Sequence, residues 1–541
     1  MKKYIIISII ALSSMFNAQA QGSKAATYPT MIEISQAKAL WFNSTNAAGM
    51  ILTPMTNYNI LSVGYDIKNG EYRLQQEGDR NNLNINTAGA RSLGNARVWG
   101  EFTYQNSTIK DTRYNTILLE PRYDMPYYIA DPNLSYWKRQ TYEMSVKGAS
   151  PILWDLVGFG VSANYFTKVG AKQIDPRCTS FKYGISVIPS AVFTFGEKHS
   201  AGISFTYVNS FERTSPTNSN NQQEQSAYLM KGLGNYADGV VGSLNSLGTY
   251  YYKENKIGAA LQYGFNGDSF DVLAEAKNTY QVIDVMQSPT KPQRMGSTVQ
   301  KITGGNIQAI INPEGDLTGK ITLDGYRKNT DGIEYIQEID KSYEVQQWVT
   351  IAKYIRSTYQ FTAASLKYDL YRNSDAGYNW MAGIQGIYSN RADEYIVPNS
   401  TFKAENIYGE IYGKKNIMAG DNSILIGINA GYNYNLNGSY SYNGSNPESR
   451  VVKDMYEKDL AVMSANYYQF GVNINASFPI WKGTSLYVAG NCQYLRSTDT
   501  MNQYAYVVDK DGSNFRWNIK DDSSLKPSQR VIATISIGFT F

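Results

Sequence analysis

The chain has 541 residues, 50 Lys and Arg against 46 Asp and Glu, a formal net charge of +4 and a mean hydropathy of −0.40. This balance leaves no electrostatic footprint for nucleic acid, and no segment beyond the N-terminus has the ~20 apolar residues that a membrane helix needs. One histidine and two cysteines remove most His-based catalysis and metal clustering, whereas 45 Tyr and 45 Gly suit strands and aromatic girdles.

Met1-Lys2-Lys3, the apolar run from Tyr4 to Phe16 and the site Ala18-Gln19-Ala20 read as a signal peptide over 1–20. Removal of Lys2 and Lys3 brings the net charge to 4 − 2 = +2. No Cys stands at the cleavage point, so no lipid anchor is expected. Residues 21–56 form a separate segment. Pro29 to Phe42 reads as a short helix with Pro29 near its first position, and Asn43 to Gly49 as loop. Three placements stay open for it: a luminal plug, a periplasmic extension or a disordered leader.

From 57 onward, period-two alternation predicts an all-β fold, a transmembrane antiparallel β-barrel over 57–541. Val157, Phe159, Val161, Ala163 and Tyr165 share one face, with Gly158, Gly160, Ser162 and Asn164 on the other. The same pattern runs through 183–195, 257–265, 424–434 and 470–480. Counting back from the C-terminus gives strands near 98–106, 138–148, 155–168, 181–195, 200–212, 253–265, 268–282, 300–311, 316–327, 355–372, 377–390, 401–413, 422–436, 464–480, 484–497 and 528–541. That is about sixteen, within a range of 14–18; 57–91 could add a hairpin, and 328–360 is hard to place. Short turns such as Gly196–Ser200 and Asn373–Gly377 alternate with long connections over 107–137, 212–252, 437–463 and 498–526, the expected asymmetry of periplasmic turns and external loops. The lumen is expected to carry Asn, Gln, Ser, Thr, Gly and Tyr, while Lys182 and Arg356 lie near strand ends where parity leaves their face open.

Few residues carry chemistry. His199 is read as a solvated turn residue, and Cys178 (loop) and Cys492 (strand) as unpaired. No enzyme, cofactor or metal is implied. Asp331-Gly332 and Asp511-Gly512 read as turns in loops, and Asp521-Asp522 as a solvated loop tip. Asp509–Asn514 lacks the final acidic residue of a calcium loop. Tyr123, Tyr127, Tyr128, Tyr136, Trp137 and Tyr250–Tyr252 are loop aromatics. Tyr127, Tyr128, Tyr136 and Trp137 are candidate ligand contacts, set against plain girdle and loop packing.

The run Leu40-Trp-Phe-Asn-Ser-Thr-Asn-Ala-Ala-Gly-Met50 resembles the Asn-Pro-Ala-Gly element near the start of long-chain fatty-acid transporter barrels, with Asn46, Ala48 and Gly49 matching and Ala47 in place of the proline. That resemblance implies fourteen strands, a hydrophobic cargo, and a gate or plug that includes Trp41, Asn46, Ala48 and Gly49. Together with Asn69-Gly-Glu-Tyr-Arg73 and Glu77-Gly78, the run is also similar to a Bacteroidota outer-membrane barrel family of unknown function. Asp499-Thr500-Met501 resembles a Bacteroidota O-glycosylation signal. The C-terminal strand alternates Val531, Ala533, Ile535, Ile537, Phe539 and Phe541 with small or polar residues. It resembles the signal, here Phe539 and Phe541, read by the barrel assembly machinery. The chain is too short for a plug domain plus a 22-stranded TonB-dependent receptor barrel. The expected functions are a pore or gated channel for nutrient uptake in the outer membrane, or a non-conducting accessory to a TonB-dependent receptor or surface lipoprotein. Outer-membrane lipid is a partner in either case.

Overall fold

The computed structural model describes residues 28–541, except 54, 71–72, 74, 119–123, 221, 243–246, 289–290, 343–345, 482, 499–502, 509–513 and 519–528. The expected signal peptide, Tyr123, Asp511-Gly512, Asp521-Asp522 and the Asp499-Thr500-Met501 run lie outside the described residues, as does most of Asp509–Asn514.

Eighteen antiparallel strands close on themselves among the described residues. The ring opens with Tyr58–Asn69 and ends with Gln529–Thr540, and these two pair from Ile60↔Thr540 to Asn69↔Val531. Closure removes every sheet edge, so each strand's N–H and C=O groups find a neighbour without water. All sixteen expected strands are present. The count rises to eighteen, not the fourteen of the fatty-acid transporter resemblance, because 57–91 does form a hairpin, Tyr58–Asn69 with Asp79–Leu93. Residues 328–340 and 347–360 are strand as well. Leu317–Asp340 and Gln347–Ser374 are 24 and 28 residues long, far beyond the ~10 that span a bilayer, so this hairpin projects from the external rim.

Asp331-Gly332 is therefore not a turn in a loop: it lies inside Leu317–Asp340, beside a bulge at Gly332/Ile333. A Cβ on Gly332 would stand 2.2 Å from Ser357 Oγ and 3.1 Å from the Tyr127 hydroxyl, so the glycine provides space rather than a reversal. Cys178 is likewise in a strand, Arg177–Phe195, and buried; Cys492 is exposed, and both are free thiols.

The alternation read from the sequence sets the two faces of the wall. Ile257, Leu261, Ile411, Ile428 and Ile535 stand exposed on the outer face, while Asn, Gln, Ser, Thr and Gly of the same strands face inward. This is the pattern of a membrane-spanning barrel. Phe539 and Phe541 lie on the outer face at the seam, and the Phe541 and Asn59 backbones exchange hydrogen bonds of 2.6 and 3.0 Å.

Candidate functional site: a chamber between a plug and a lid

The N-terminal segment enters the end of the barrel that carries the short turns. Pro29–Lys38 is helical with proline in its first turn, as expected. The helix stops at Lys38, short of the expected Phe42; Trp41–Asn43 forms one 3-10 turn, and the expected loop Asn43–Gly49 runs into a second, Ala47–Ile51. An inserted segment must satisfy its own polar backbone, and here the wall does much of this. Lys147 Nζ donates to Phe42 O (2.7 Å), Lys320 Nζ to Ala37 O (2.6 Å), and Ser190 Oγ accepts from Ala48 N (3.1 Å). Thr45 donates through its N–H (2.9 Å) and hydroxyl (2.6 Å) to Glu275, and Glu33 accepts from Tyr378 (2.9 Å) and Lys414 (2.5 Å). These anchors run from the strand Ser135–Ala149 to Ser400–Ala419, so the segment crosses the opening.

The run from Trp41 to Gly49 sits at the centre of this inserted segment. Asn46 is fully buried; its Nδ2 donates to Ala191 O (2.8 Å) and Gln262 Oε1 (3.0 Å), and its Oδ1 caps Gly49 N (3.3 Å). Ala48 stacks over Gly160 of the wall, where a Cβ would fall 2.3 Å from Ala48 N. Trp41 lies against Gly49, whose added Cβ would come within 2.0 Å of the indole. The structure thus brings Trp41, Asn46, Ala48 and Gly49 together.

At the other end, described parts of the long connections fold inward. Residues 113–118 and 124–134, the hairpin of Gln225–Gly232 with Asn235–Val241, and the helical turns Val451–Glu457 and Lys458–Met463 fold into the mouth. Tyr127, Tyr128, Ile129, Met230 and Met455 form an apolar cluster with Tyr252 and Val285 of the wall. A second cluster joins Leu233, Val452 and Leu460 to Tyr359, Phe402 and Tyr440 of other strands. Polar ties hold this lid, several of them charged. Arg73 clasps Asp459 through Nε (2.8 Å) and Nη2 (2.5 Å), and Lys172 Nζ reaches Asp131 (2.5 Å). Lys328 pairs with Asp124, and Glu212 accepts from Leu118 N (2.6 Å). Burial pushes the Asp131 carboxyl upward, and the Lys172 ammonium draws it back.

Space remains between plug and lid. Along Phe270–Gln287 the inward side chains are Leu273 (1 % exposed) and Glu275 (8 %), then the more open Lys277, Thr279 and Gln281, then Ile283 (8 %) and Val285 (0 %). Midway along other strands, Glu143 and Asn491 face inward and are exposed. Chamber carboxylates are met by amides: Asn86 donates to Glu101 (2.8 Å), Asn164 to Glu143 (2.9 Å) and Asn429 to Glu410 (2.7 Å). Lys182 also faces the lumen, with Nζ 5.9 Å from the Phe166 ring centroid.

A model described as a family of unknown function (DUF6850) matches residues 47–541. The chain belongs to that family. No curated protein matches it. Among solved structures it is similar to the FrpB iron transporter from Neisseria meningitidis, at 10 % identity and a TM-score of 0.40, over 90 % of this chain and 82 % of that one. It is also similar to BauA, the ferric preacinetobactin receptor from Acinetobacter baumannii (8 %, 0.34, 89 % and 80 %), and to the TodX deltaS2S3 mutant monoaromatic hydrocarbon channel (8 %, 0.28, 92 % of each).

In this DUF6850 chain the four candidate ligand aromatics do not converge. Tyr127 and Tyr128 are 3 % and 4 % exposed inside the lid cluster. Trp137 is fully buried within the strand Ser135–Ala149, and Tyr136 beside it faces outward. Tyr250 and Tyr252 belong to a strand rather than a loop. His199 opens the strand His199–Thr217 at a short turn, exposed, 2.8 Å from the Tyr263 hydroxyl. The wall partners Gln262, Glu275, Ser190, Lys320 and Lys414 escaped the sequence reading. Their only local signal is a polar residue on the inward parity of an alternating strand.

Proposed function

We propose that this barrel resides in the outer membrane and admits a small, neutral, hydroxyl-rich nutrient through a two-gate lumen, with plug and lid both shut at rest. The observation that carries the reading is the run of inward side chains, buried at both ends and accessible between. A chamber with separate closures supports alternating opening, and carboxylates already paired with amides favour uncharged polar cargo over free ions. Single-channel conductance in planar bilayers tests it, comparing the full chain with a variant lacking 22–56. Rare openings in the full chain and steady current after truncation support gated transport.

The double closure also favours a second reading, a non-conducting accessory that holds a TonB-dependent receptor or surface lipoprotein through its lid. Silence of both proteins, together with capture of such a partner from native membranes, would select it.

A further inference from the structure

The outer wall carries a feature that neither gate uses. Four small residues, Ala276, Gly305, Gly325 and Ala364, face outward on four consecutive strands. The ladder registers them as one row, Ala276↔Gly305↔Gly325↔Ala364. Side chains stand tall on either flank: Leu261 (62 % exposed) at one end, Ile307 (47 %) and Leu323 (45 %) below. The result is an apolar groove of about 610 Å³ in the lipid-facing surface, a volume within the range of small-molecule sites.

Charge marks its upper end. Two residues above Gly325 on the same strand stands Arg327, and four above Gly305 stands Lys301; both are exposed on the outer face. Thr303 pairs with Arg327 and Asn329 with Lys301, so the two cations are diagonal neighbours, ~7–8 Å apart at the backbone. Lys301 has no hydrogen bond or ion pair among the described residues. Arg327 donates only to amide oxygens, Asn329 Oδ1 (3.3 Å) and Gln360 Oε1 (3.2 Å). Asp331, on the same face, pairs with Val299 and is the diagonal neighbour of Lys301 on the side away from the groove, with no ion pair between them among the described residues. Above the apolar band the wall turns polar, with Asn278 donating to Thr303 (2.7 Å). The band between Leu317 and Gly325 is nine residues of tilted strand, so the cations lie at the outer interface, not in the hydrocarbon. An ammonium and a guanidinium there meet anionic headgroups, and arginine suits phosphate.

We propose that this groove binds a phosphorylated, acylated lipid of the outer leaflet, its phosphate held by Lys301 and Arg327 and one acyl chain lying over Gly305 and Gly325. The inference rests on the outer-membrane reading for its ligand but not on transport. Two like charges at the end of a concave apolar surface fit an anionic lipid better than a second copy of the chain, which would bring its own cations.

The test is native mass spectrometry of the full-length barrel released from detergent with monophosphoryl lipid A, or with the same lipid after phosphate removal. Two variants accompany it: Lys301→Glu with Arg327→Glu, and Gly325→Leu. The nearest atoms to a Gly325 Cβ are 3.7 and 4.0 Å away, so leucine there fills the groove without crowding the sheet. The wild type is expected to retain one phosphorylated lipid, with binding down at least tenfold in either variant and after phosphate removal. Equal retention by all three proteins, or by both lipids, overturns the proposal. So does a dimer in light scattering that Gly325→Leu dissociates, since a second copy would then occupy the groove. Heat-modifiable mobility on gels confirms that each variant folds. Membrane fractionation of cells reports separately on location: absence from the outer membrane defeats the functional reading, while lipid binding in micelles still judges the groove.

Discussion

Arg73 and Asp459, 386 residues apart, meet in a buried two-point contact in which Nε and Nη2 of the guanidinium face the two carboxylate oxygens at 2.8 and 2.5 Å. Arg73 comes from the connection after the first strand and Asp459 from the lid helix Lys458–Met463. The pair therefore ties the lid to the first strand connection, beside the barrel's closing seam.

Breaking a buried pair leaves one charge unmatched, which costs roughly 3–5 kcal/mol. Asp459→Ala is expected to loosen the lid without unfolding the barrel, whose ladder it does not touch. Limited proteolysis within 443–466 should accelerate by more than tenfold. The double replacement Arg73→Met with Asp459→Leu should restore much of the protection, because neither charge is then stranded. Equal cleavage rates in the wild type and Asp459→Ala would show that the clasp does not hold the lid.

The plug has its own keystone in Asn46. Asn46→Ala strips donors from Ala191 O, Ile203 O and Gln262 Oε1 in a buried setting. About 1–3 kcal/mol is lost per orphaned group, enough to raise plug release five- to a hundredfold. In planar bilayers the substitution is expected to increase opening frequency toward that of the chain lacking 22–56. An unchanged frequency, with truncation still opening the pore, would mean that Asn46 does not anchor the plug.

What was legible in the sequence was the face each strand shows to lipid. Ile535 and Ile537, or Phe159 and Val161, alternate with residues too small or polar for that face, and every such series points outward. The first hairpin was harder because Asp79–Leu93 carries Asn82, Asn84 and Asn86 inward against only Leu83 and Ile85 outward. Asp331-Gly332 misled because a glycine required by a distant tyrosine looks, locally, like a turn. Tyr127 and Tyr128 misled for a related reason. An aromatic in a long loop reads as a surface contact, and only the fold-back into the mouth makes it core. The Asn46 motif singled out the plug segment, but its partner Gln262 lies 216 residues away and no local pattern joins them.

A complementary change on the wall tests the plug from the other side. Gly160 faces inward, and a Cβ there would lie 2.3 Å from Ala48 N and 2.6 Å from Ala48 Cα. These are backbone atoms that cannot swing aside. Gly160→Leu is expected to exclude the plug while leaving the strand ladder intact, since its own backbone pairs are unaffected. The predicted signature is normal heat-modifiable mobility together with new protease cleavage within 28–56. Loss of mobility would instead mean that the seated plug is needed for the barrel to form.

The two thiols report the faces of the wall directly. Cys178 is fully buried near the external rim, whereas Cys492 is exposed on the strand Thr484–Ser497, registered between Val472 and Ala533 on the outer surface. In liposomes, a lipid-soluble maleimide should label Cys492 and leave Cys178 untouched. A charged, water-soluble maleimide should react with neither until denaturant exposes both. Replacing Cys492 with Ser should then abolish native-state labelling altogether. Rapid reaction of Cys492 with the charged reagent in intact liposomes would place it on the lumen side, and the inward and outward assignments of Thr484–Ser497 and its neighbours would have to be exchanged.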